Sequence, residues 1–368
     1  VRDIFYYHPL SLSFTSAQTL QVIKDYYYLS KEGGFRVYLY GFWSDRDEFE
    51  QVQDFIKDSN ITLLAKKNSG MNRFLTKIYF LIKLISSKSK FIITRAHQKS
   101  FEVLRLKSLL GDCKVIQELH EEAFGYLVGK KISKDKLFDL FLNLDMLIFT
   151  NYSQLELYEI EFGCRPDAYA VLPNGVELER FSKAHMEQNF VLTYLGQFND
   201  WKNVPLLFEA LALLDSRFTL RIAGGKNDEK SKRYIKELCD KYRIGERVSY
   251  LGFVANEKVV ESVLDKSHIL LLPLGDNIQS KYLTSPMKLF EYMATKIPVL
   301  AVDYPSVSSI ATEDDIFLAK NSAKEFADRI VEITKCEYLN KKIAKMNEKA
   351  KEFSYENRSK KYYYILNN

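Results

Sequence analysis

The sequence predicts an α/β protein made of two doubly wound parallel-sheet domains. Two observations predict it. Short apolar runs alternate with helical patterns through both halves, the signature of parallel strands joined by crossover helices. The series restarts at Phe190 after the polar stretch Lys183–Asn189, which reads as lying near an interdomain connection, and 368 residues suffice for two cores.

Composition narrows the class. Apolar residues at 46% and charged residues at 27% describe a soluble globular chain. A net charge of +5 does not call for nucleic acid. Cys113, Cys164, Cys239 and Cys336 are scattered without a CxxC, so neither a zinc site nor a disulfide framework is suggested, and cytosolic thiols are the simplest reading. No apolar run approaches the roughly 18 residues of a spanning helix, and no signal peptide is evident. The chain starts at Val1 without Met, which fits a short missing or processed N-terminal piece.

The first half opens with a strand, Asp3–Tyr7, and a loop carrying Ser11, Ser13, Thr15 and Ser16. A helix follows from Ala17 to Lys31, ended by Gly33-Gly34, and Phe35–Tyr40 is the second strand. Asp45-Arg46-Asp47 matches a DxD pattern but reads as the acidic first turn of a helix. From Lys66 to Lys114 twelve basic residues face two acids, a local charge of +10. Inside that segment, Asn72–Ile85 mixes Arg73, Lys77 and Lys83 with Phe, Tyr, Leu and Ile, the composition of a helix that could lie on an anionic bilayer. A helix packed on a sheet with a solvated basic face has the same composition. Lys90–Arg95 is a strand ending at Arg95. Lys114–Glu122 is another, with His120 at its carboxyl end flanked by acids, where a side chain can face a cleft. After the strand Leu144–Thr150, Ser153 caps a helix to Phe162.

In the second half, Ala170–Val176 is a short strand whose Asn174-Gly175 supplies the positive φ of a turn. Phe190–Gly196, Thr219–Gly225, Val248–Val254 and His268–Pro273 read as strands, with helices at Val204–Leu214, Lys230–Tyr242 and up to Asp265. Gly196 permits close backbone approach, and Lys202 stands just before a helix, placed to meet a phosphate. Ile316–Leu318 and a helix from Ala323 follow, then a Tyr-rich helix from Phe353 through Leu366.

One run carries the most chemistry: Ser285 to Ala294, between the buried strand at His268–Pro273 and the next at Ile297–Val302. Ser285 is a good N-cap and Pro286 suits the first helical position. A helix start beyond a strand's carboxyl end is where α/β sheets bind ligands, and exposed N–H groups there favour an anion. Lys288 and Glu291 share a face. Glu291 lies roughly 7–8 Å along the helix, about the span from a diphosphate to a ribose, and its carboxylate can accept bonds from vicinal hydroxyls.

Several fragments in order resemble the glycosyltransferases of family 4, which have the GT-B architecture. They are Glu118-Leu119-His120, Pro173-Asn174-Gly175-Val176 with Phe181, Leu195-Gly196 with Lys202, Ile222-Ala223-Gly224, Leu251-Gly252-Phe253-Val254, and Ser285 to Ala294. The resemblance implies two Rossmann-like domains facing across a cleft. Residues 1–170 would bind the acceptor, 171–350 the nucleotide-sugar, and 351–368 would return to the first domain. It further implies a retaining, metal-independent hexosyltransferase with no cofactor, using a UDP- or GDP-sugar and a glycan or lipid-linked glycan acceptor in surface polysaccharide or glycoconjugate synthesis. Such an enzyme would be cytoplasmic or peripheral on the inner face of a membrane. By position, Glu291 would hold the ribose, Lys202 would neutralise the leaving diphosphate, and His120 would contact the donor sugar. Backbone near Val254 would meet the base, and Gly196, Gln197, Ser285, Pro286, Lys288 and Leu289 would line the donor. Arg95 and Asn174 belong to the acceptor side or cleft.

Two positions depart from the family pattern. Leu283 stands where a donor-contacting Glu is common, and Gln197 where an Arg is common. Charge-assisted hydrogen bonds are roughly twice as strong as neutral ones, so Gln197 weakens the diphosphate site unless Lys288 compensates. Two other readings share the architecture: a sugar-nucleotide epimerase, and a degenerate, non-catalytic partner subunit.

Overall fold

The computed structural model describes residues 1–13, 17–120, 124–226 and 228–368. Thr15, Ser16, Glu121 and Glu122, named above, lie outside them. The chain forms two units: Val1–Asn174 with Tyr355–Asn368, and Gly175–Ser354.

In the first unit the strands are β1 (Arg2–Tyr6), β2 (Leu10–Ser11), β3 (Phe35–Trp43), β4 (Ile61–Lys67), β5 (Ser89–Thr94), β6 (Asp112–Leu119), β7 (Met146–Phe149) and β8 (Tyr169–Val171). The helices between them are α1 (Ala17–Lys31), α2 (Arg46–Ile56), α3 (Gly70–Ser86), α4 (His97–Leu106), α5 (Lys134–Leu142) and α6 (Tyr152–Phe162). All pairings are parallel, and β1 sits between β3 and β5. The chain winds outward from β1 through β3 to β4, then returns to β5 and winds the other way. The order of strands therefore reverses between β1 and β5.

The second unit contains α7 (Leu178–Phe181), β9 (Val191–Gly196), α8 (Pro205–Leu213), β10 (Thr219–Gly224), α9 (Glu229–Tyr242), β11 (Val248–Tyr250) and β12 (Ile269–Leu272). It continues through α10 (Met287–Met293), β13 (Val299–Val302), α11 (Pro305–Ser308), β14 (Phe317–Ala319), α12 (Ala323–Thr334) and α13 (Leu339–Lys351). Its parallel sheet has the order β11-β10-β9-β12-β13-β14, so its reversal lies between β9 and β12. Strand β12 is buried at every residue, as its continuous apolar run requires of a strand covered on both faces. The last helix, α14 (Tyr355–Asn367), belongs to the first unit. It buries Tyr362 and Leu366 in that unit's core, and Tyr355 stacks on Tyr28 at 5.4 Å.

Several local expectations are corrected. Asn151, not Ser153, caps α6, its side chain accepting from the Gln154 N–H at 2.8 Å. Neither Asn174 nor Gly175 has positive φ. Val176 donates its N–H to the Phe353 carbonyl at 2.9 Å instead of closing a turn. The run Val248–Val254 is a strand only to Tyr250, and the helix expected up to Asp265 is a π turn at Val260–Leu264. Lys183–Asn189 is stitched into the second unit by bridges from His185 to Lys296 and from Met186 to Ser267. In the DxD match, Asp45 accepts from the Glu48 N–H at 3.0 Å and is the N-cap of α2.

Candidate functional site

In the second unit, the expected donor residues other than Val254 follow the carboxyl ends of β9 and β12, on either side of the reversal. Ligands of open α/β sheets bind at that crevice. Strand β9 pairs with β12 only through Leu192 and Thr193, so its last residues leave the ladder on that side. The Leu195 N–H donates instead to the buried Tyr292 hydroxyl at 2.9 Å, which pins α10 beside the strand end. On the other side of β9 the contacts are made by backbone. Gly224 donates its N–H to the Gly252 carbonyl at 2.8 Å, and Gly225 donates to Gly196 at 3.2 Å. Gly196, Gly224 and Gly252 thus line up along the carboxyl edge of β9, β10 and β11. Gly224 has φ +127°, and a Cβ there would stand 1.8 Å from the Gly196 carbonyl oxygen.

Lys202 closes the loop after β9. Its ammonium lies 3.7 Å from the centre of the Trp201 ring, a cation–π contact. The Trp201 carbonyl accepts from Gly275 N–H at 2.8 Å and from Ser280 Oγ at 2.9 Å, tying this loop to the one after β12. Asn203, at φ +46°, turns the chain from Lys202 into α8. Gln197 is exposed and donates to the Gly225 carbonyl at 3.4 Å, a long bond. Val254 is half-buried just beyond β11.

Helix α10 starts later than the sequence implies. It spans seven residues from Met287, and Pro286, with ψ 107°, occupies the capping position without a side-chain cap. The Pro286 carbonyl accepts from Leu289 N–H at 2.9 Å, so a backbone bond opens the helix one residue past the expected Ser285 cap. Lys288 Nζ meets Glu291 Oε2 at 2.5 Å, with Glu291 mostly buried. The two side chains do share a face, and Lys288 holds Glu291 in place. The Leu289 side chain is fully buried, which leaves only its backbone to a ligand. Leu283 is also fully buried, so the departure at that position places a core side chain there.

In the first unit, His120 and Arg95 directly follow β6 and β5, and Tyr6 ends β1. They gather at that sheet's own reversal with a buried set the sequence did not reveal. Tyr362 donates to Glu118 Oε1 at 2.8 Å, and Arg358 lies 3.2 Å from Asp25. His120 Nε2 is 3.6 Å from Glu118 Oε2, beyond hydrogen-bond reach. Burial, then the charge of Arg95, lowers His120 to about 4, with Glu118 pulling the other way, so the imidazole is neutral at neutral pH. Burial also lowers His8, helped by Arg95 and Lys99. Burial would raise Glu118, but the charge of Arg358 and the hydrogen bond from Tyr362 hold it below the usual carboxylate range. Asn174 is buried and accepts a hydrogen bond from Gln21. Glu118 stood in plain view beside His120. Asp25 and Arg358 carried no signal, because a charge in an amphipathic helix reads as solvated.

The buried pair gives a stability prediction. Arg358→Met is expected to destabilise the first unit by about 3–5 kcal/mol, because it strands Asp25 among buried groups. Asp25→Leu combined with Arg358→Met should recover most of that loss in urea titrations. A single-variant loss under ~1 kcal/mol would show that the pair is not buried as described.

Comparison with known proteins finds a family model that matches part of the chain. Residues 176–353 match the family model Glycosyl transferases group 1. That span is nearly the whole second unit. No curated protein sequence matches the chain. Among solved structures, Anabaena HepE in complex with UDP and glucose is similar at TM-score 0.71 and 14% identity, covering 100% of both chains. Sucrose-phosphate synthase from Thermosynechococcus elongatus is similar at TM-score 0.76 and 15% identity, over 100% of this chain and 98% of that one. A point mutant of S. aureus TarM, in complex with fondaparinux, alpha-GlcNAc-glycerol and UDP, is similar at TM-score 0.73 and 12% identity, over 100% of both. At these identities the likeness is one of fold. The two parallel-sheet α/β domains are those of GT-B glycosyltransferase structures.

Proposed function

We propose that the chain is a retaining glycosyltransferase that moves a hexosyl group from a UDP- or GDP-sugar to a glycan or lipid-linked glycan, without a metal. One observation carries the reading. Within the stretch that matches Glycosyl transferases group 1, Lys202, the glycine edge and the Lys288–Glu291 pair converge on the sheet's reversal point. In the proposed reaction the bond from the anomeric carbon to the diphosphate oxygen breaks. The nucleoside diphosphate leaves with that electron pair, the acceptor oxygen bonds to the same face of the carbon, and its proton passes to the departing diphosphate oxygen on that face. Charge builds on the leaving oxygen, so a fixed cation there lowers the barrier. Lys202 takes that role. Glu291, oriented by Lys288, accepts bonds from ribose hydroxyls. His120, neutral, serves the donor sugar as a hydrogen-bonding group and not as a charge. Similar folds complexed with UDP, such as HepE and TarM, support a nucleotide donor. The family 4 assignment and a role in polysaccharide synthesis belong to the same proposal.

The test is a thermal-shift series with UDP, GDP and UMP. A diphosphate is expected to raise the unfolding midpoint of the second unit, by about 2.7 kcal/mol of added stability at a hundredfold excess over Kd, and UMP much less. No response to any diphosphate would overturn the donor reading. Binding without transfer to any acceptor would favour a non-catalytic partner subunit.

A further inference from the structure

Helix α3 is apolar on two faces, and the first unit covers only one of them. Phe80 and Leu84 are fully buried, and Thr76 nearly so, against the sheet. The opposite side carries Met71, Phe74, Leu75, Ile78, Tyr79, Ile82 and Ile85, each exposed, with Met71 at 73% and Phe74 at 65%. Their spacing is that of one helical stripe. Scattered exposed apolar side chains are ordinary, but seven of the eighteen large ones exposed among the described residues sit on this one helix. A helix apolar all round is normally buried on all sides. Here the outer stripe runs the full length of the helix.

We infer that this stripe is a docking surface for an anionic lipid bilayer. Charge selects that occupant. No acidic residue occurs between Asp58 and Glu102, while Lys66 and Lys67 end β4 just before α3, Arg73 lies in its first turn, Lys83 near its end and Lys88 just beyond it. Lys66, Lys67, Arg73 and Lys88 are exposed. Lys77 is engaged elsewhere, with Glu102 at 3.0 Å, so it contributes less than Arg73 and Lys83. A second copy seated on the stripe would oppose these cations to their own images, since a two-fold contact pairs a surface with itself. A bilayer offers hydrocarbon to the stripe and phosphates to the flanks. An amphipathic helix of this kind lies in the interface plane, buried by roughly 5–10 Å. Lys83 lies 5.6 Å from the Tyr79 ring, a cation beside an aromatic at the level where headgroups begin. No helix among the described residues is long and apolar enough to cross a membrane, so the contact made by α3 is peripheral.

The experiment is co-sedimentation of the full chain with phosphatidylcholine vesicles, with and without phosphatidylglycerol. Binding is expected to the mixed vesicles, to weaken at least about tenfold without the anionic lipid, and to fall with salt. Phe74→Ser with Ile82→Ser should lower it about tenfold or more while leaving the thermal midpoint unchanged, since both side chains are exposed. Arg73→Gln and Lys83→Gln should each cost about fivefold. Absence of binding to the mixed vesicles would overturn the inference, as would binding indifferent to these changes. So would a dimer that Phe74→Ser with Ile82→Ser dissolves. UDP binding by the second unit should be unchanged in every variant, so failure here leaves the donor reading standing.

Discussion

Lys202→Ala and Glu291→Ala should each lower the rate of glycosyl transfer about a hundredfold or more, which is the loss typical of removing one group that stabilises developing charge or fixes a reactant. The two should differ in kind. Lys202 acts on charge that grows as the bond breaks, so its loss should fall mainly on kcat. Glu291 holds the nucleotide before and during reaction, so its loss should appear largely in KM. Lys288→Met should resemble a weaker Glu291→Ala, since Lys288 orients that carboxylate at 2.5 Å. Steady-state kinetics with the nucleotide-sugar identified by thermal shift would decide. Wild-type rates in both alanine variants would remove the second unit's crevice as the donor site.

Gly224→Ala is expected to cost the second unit about 4 kcal/mol or more, a large share of the stability of an ordinary domain. The reason is steric and lies in backbone. At φ +127° a side chain is strained in any case, and the new methyl would sit 1.8 Å from the Gly196 carbonyl oxygen, which cannot move without breaking the pairing of β9 with β10. Gly245→Ala in the same unit is the control. Its methyl would meet only Cys239 Cβ at 3.8 Å, an ordinary contact, and it should leave the unfolding midpoint within a few degrees. Equal midpoints for the two variants would show that β9 and β10 do not approach as closely as described.

The fold was legible because parallel strands buried on both faces leave continuous apolar runs, and β9, β10, β12 and β13 all read that way. What failed were ends and caps. Pro286 fixes φ but not ψ, so sequence could not say that α10 begins one residue later. Asn151 and Ser153 are both good caps, and only the chain's entry angle chooses between them. In the candidate site, Lys202, Lys288 and Glu291 were legible from spacing after strand ends. Tyr292 was not, although it stood within the same run, because a tyrosine in a helix reads as packing. Its role depends on β9 parting from β12, which is a property of the sheet. The exposure of α3 was half legible. Composition gave cations among apolar residues, but only the fold could say that Phe80 and Leu84 are already satisfied and that the other stripe has no cover within its unit.

Helix α14 also sets an order of events during synthesis. The first unit closes only when Arg358 and Tyr362 reach Asp25 and Glu118, yet the 180 residues of Gly175–Ser354 are made in between. At 5–20 residues per second the ribosome takes roughly 10–40 s over that stretch. Throughout it the earlier-made unit holds two carboxylates still waiting for these partners. The second unit, continuous in sequence, has everything it needs as it emerges. The unit made first is therefore the one finished last, and Val1–Asn174 is the stretch of the nascent chain most open to proteases and misassembly in the meantime.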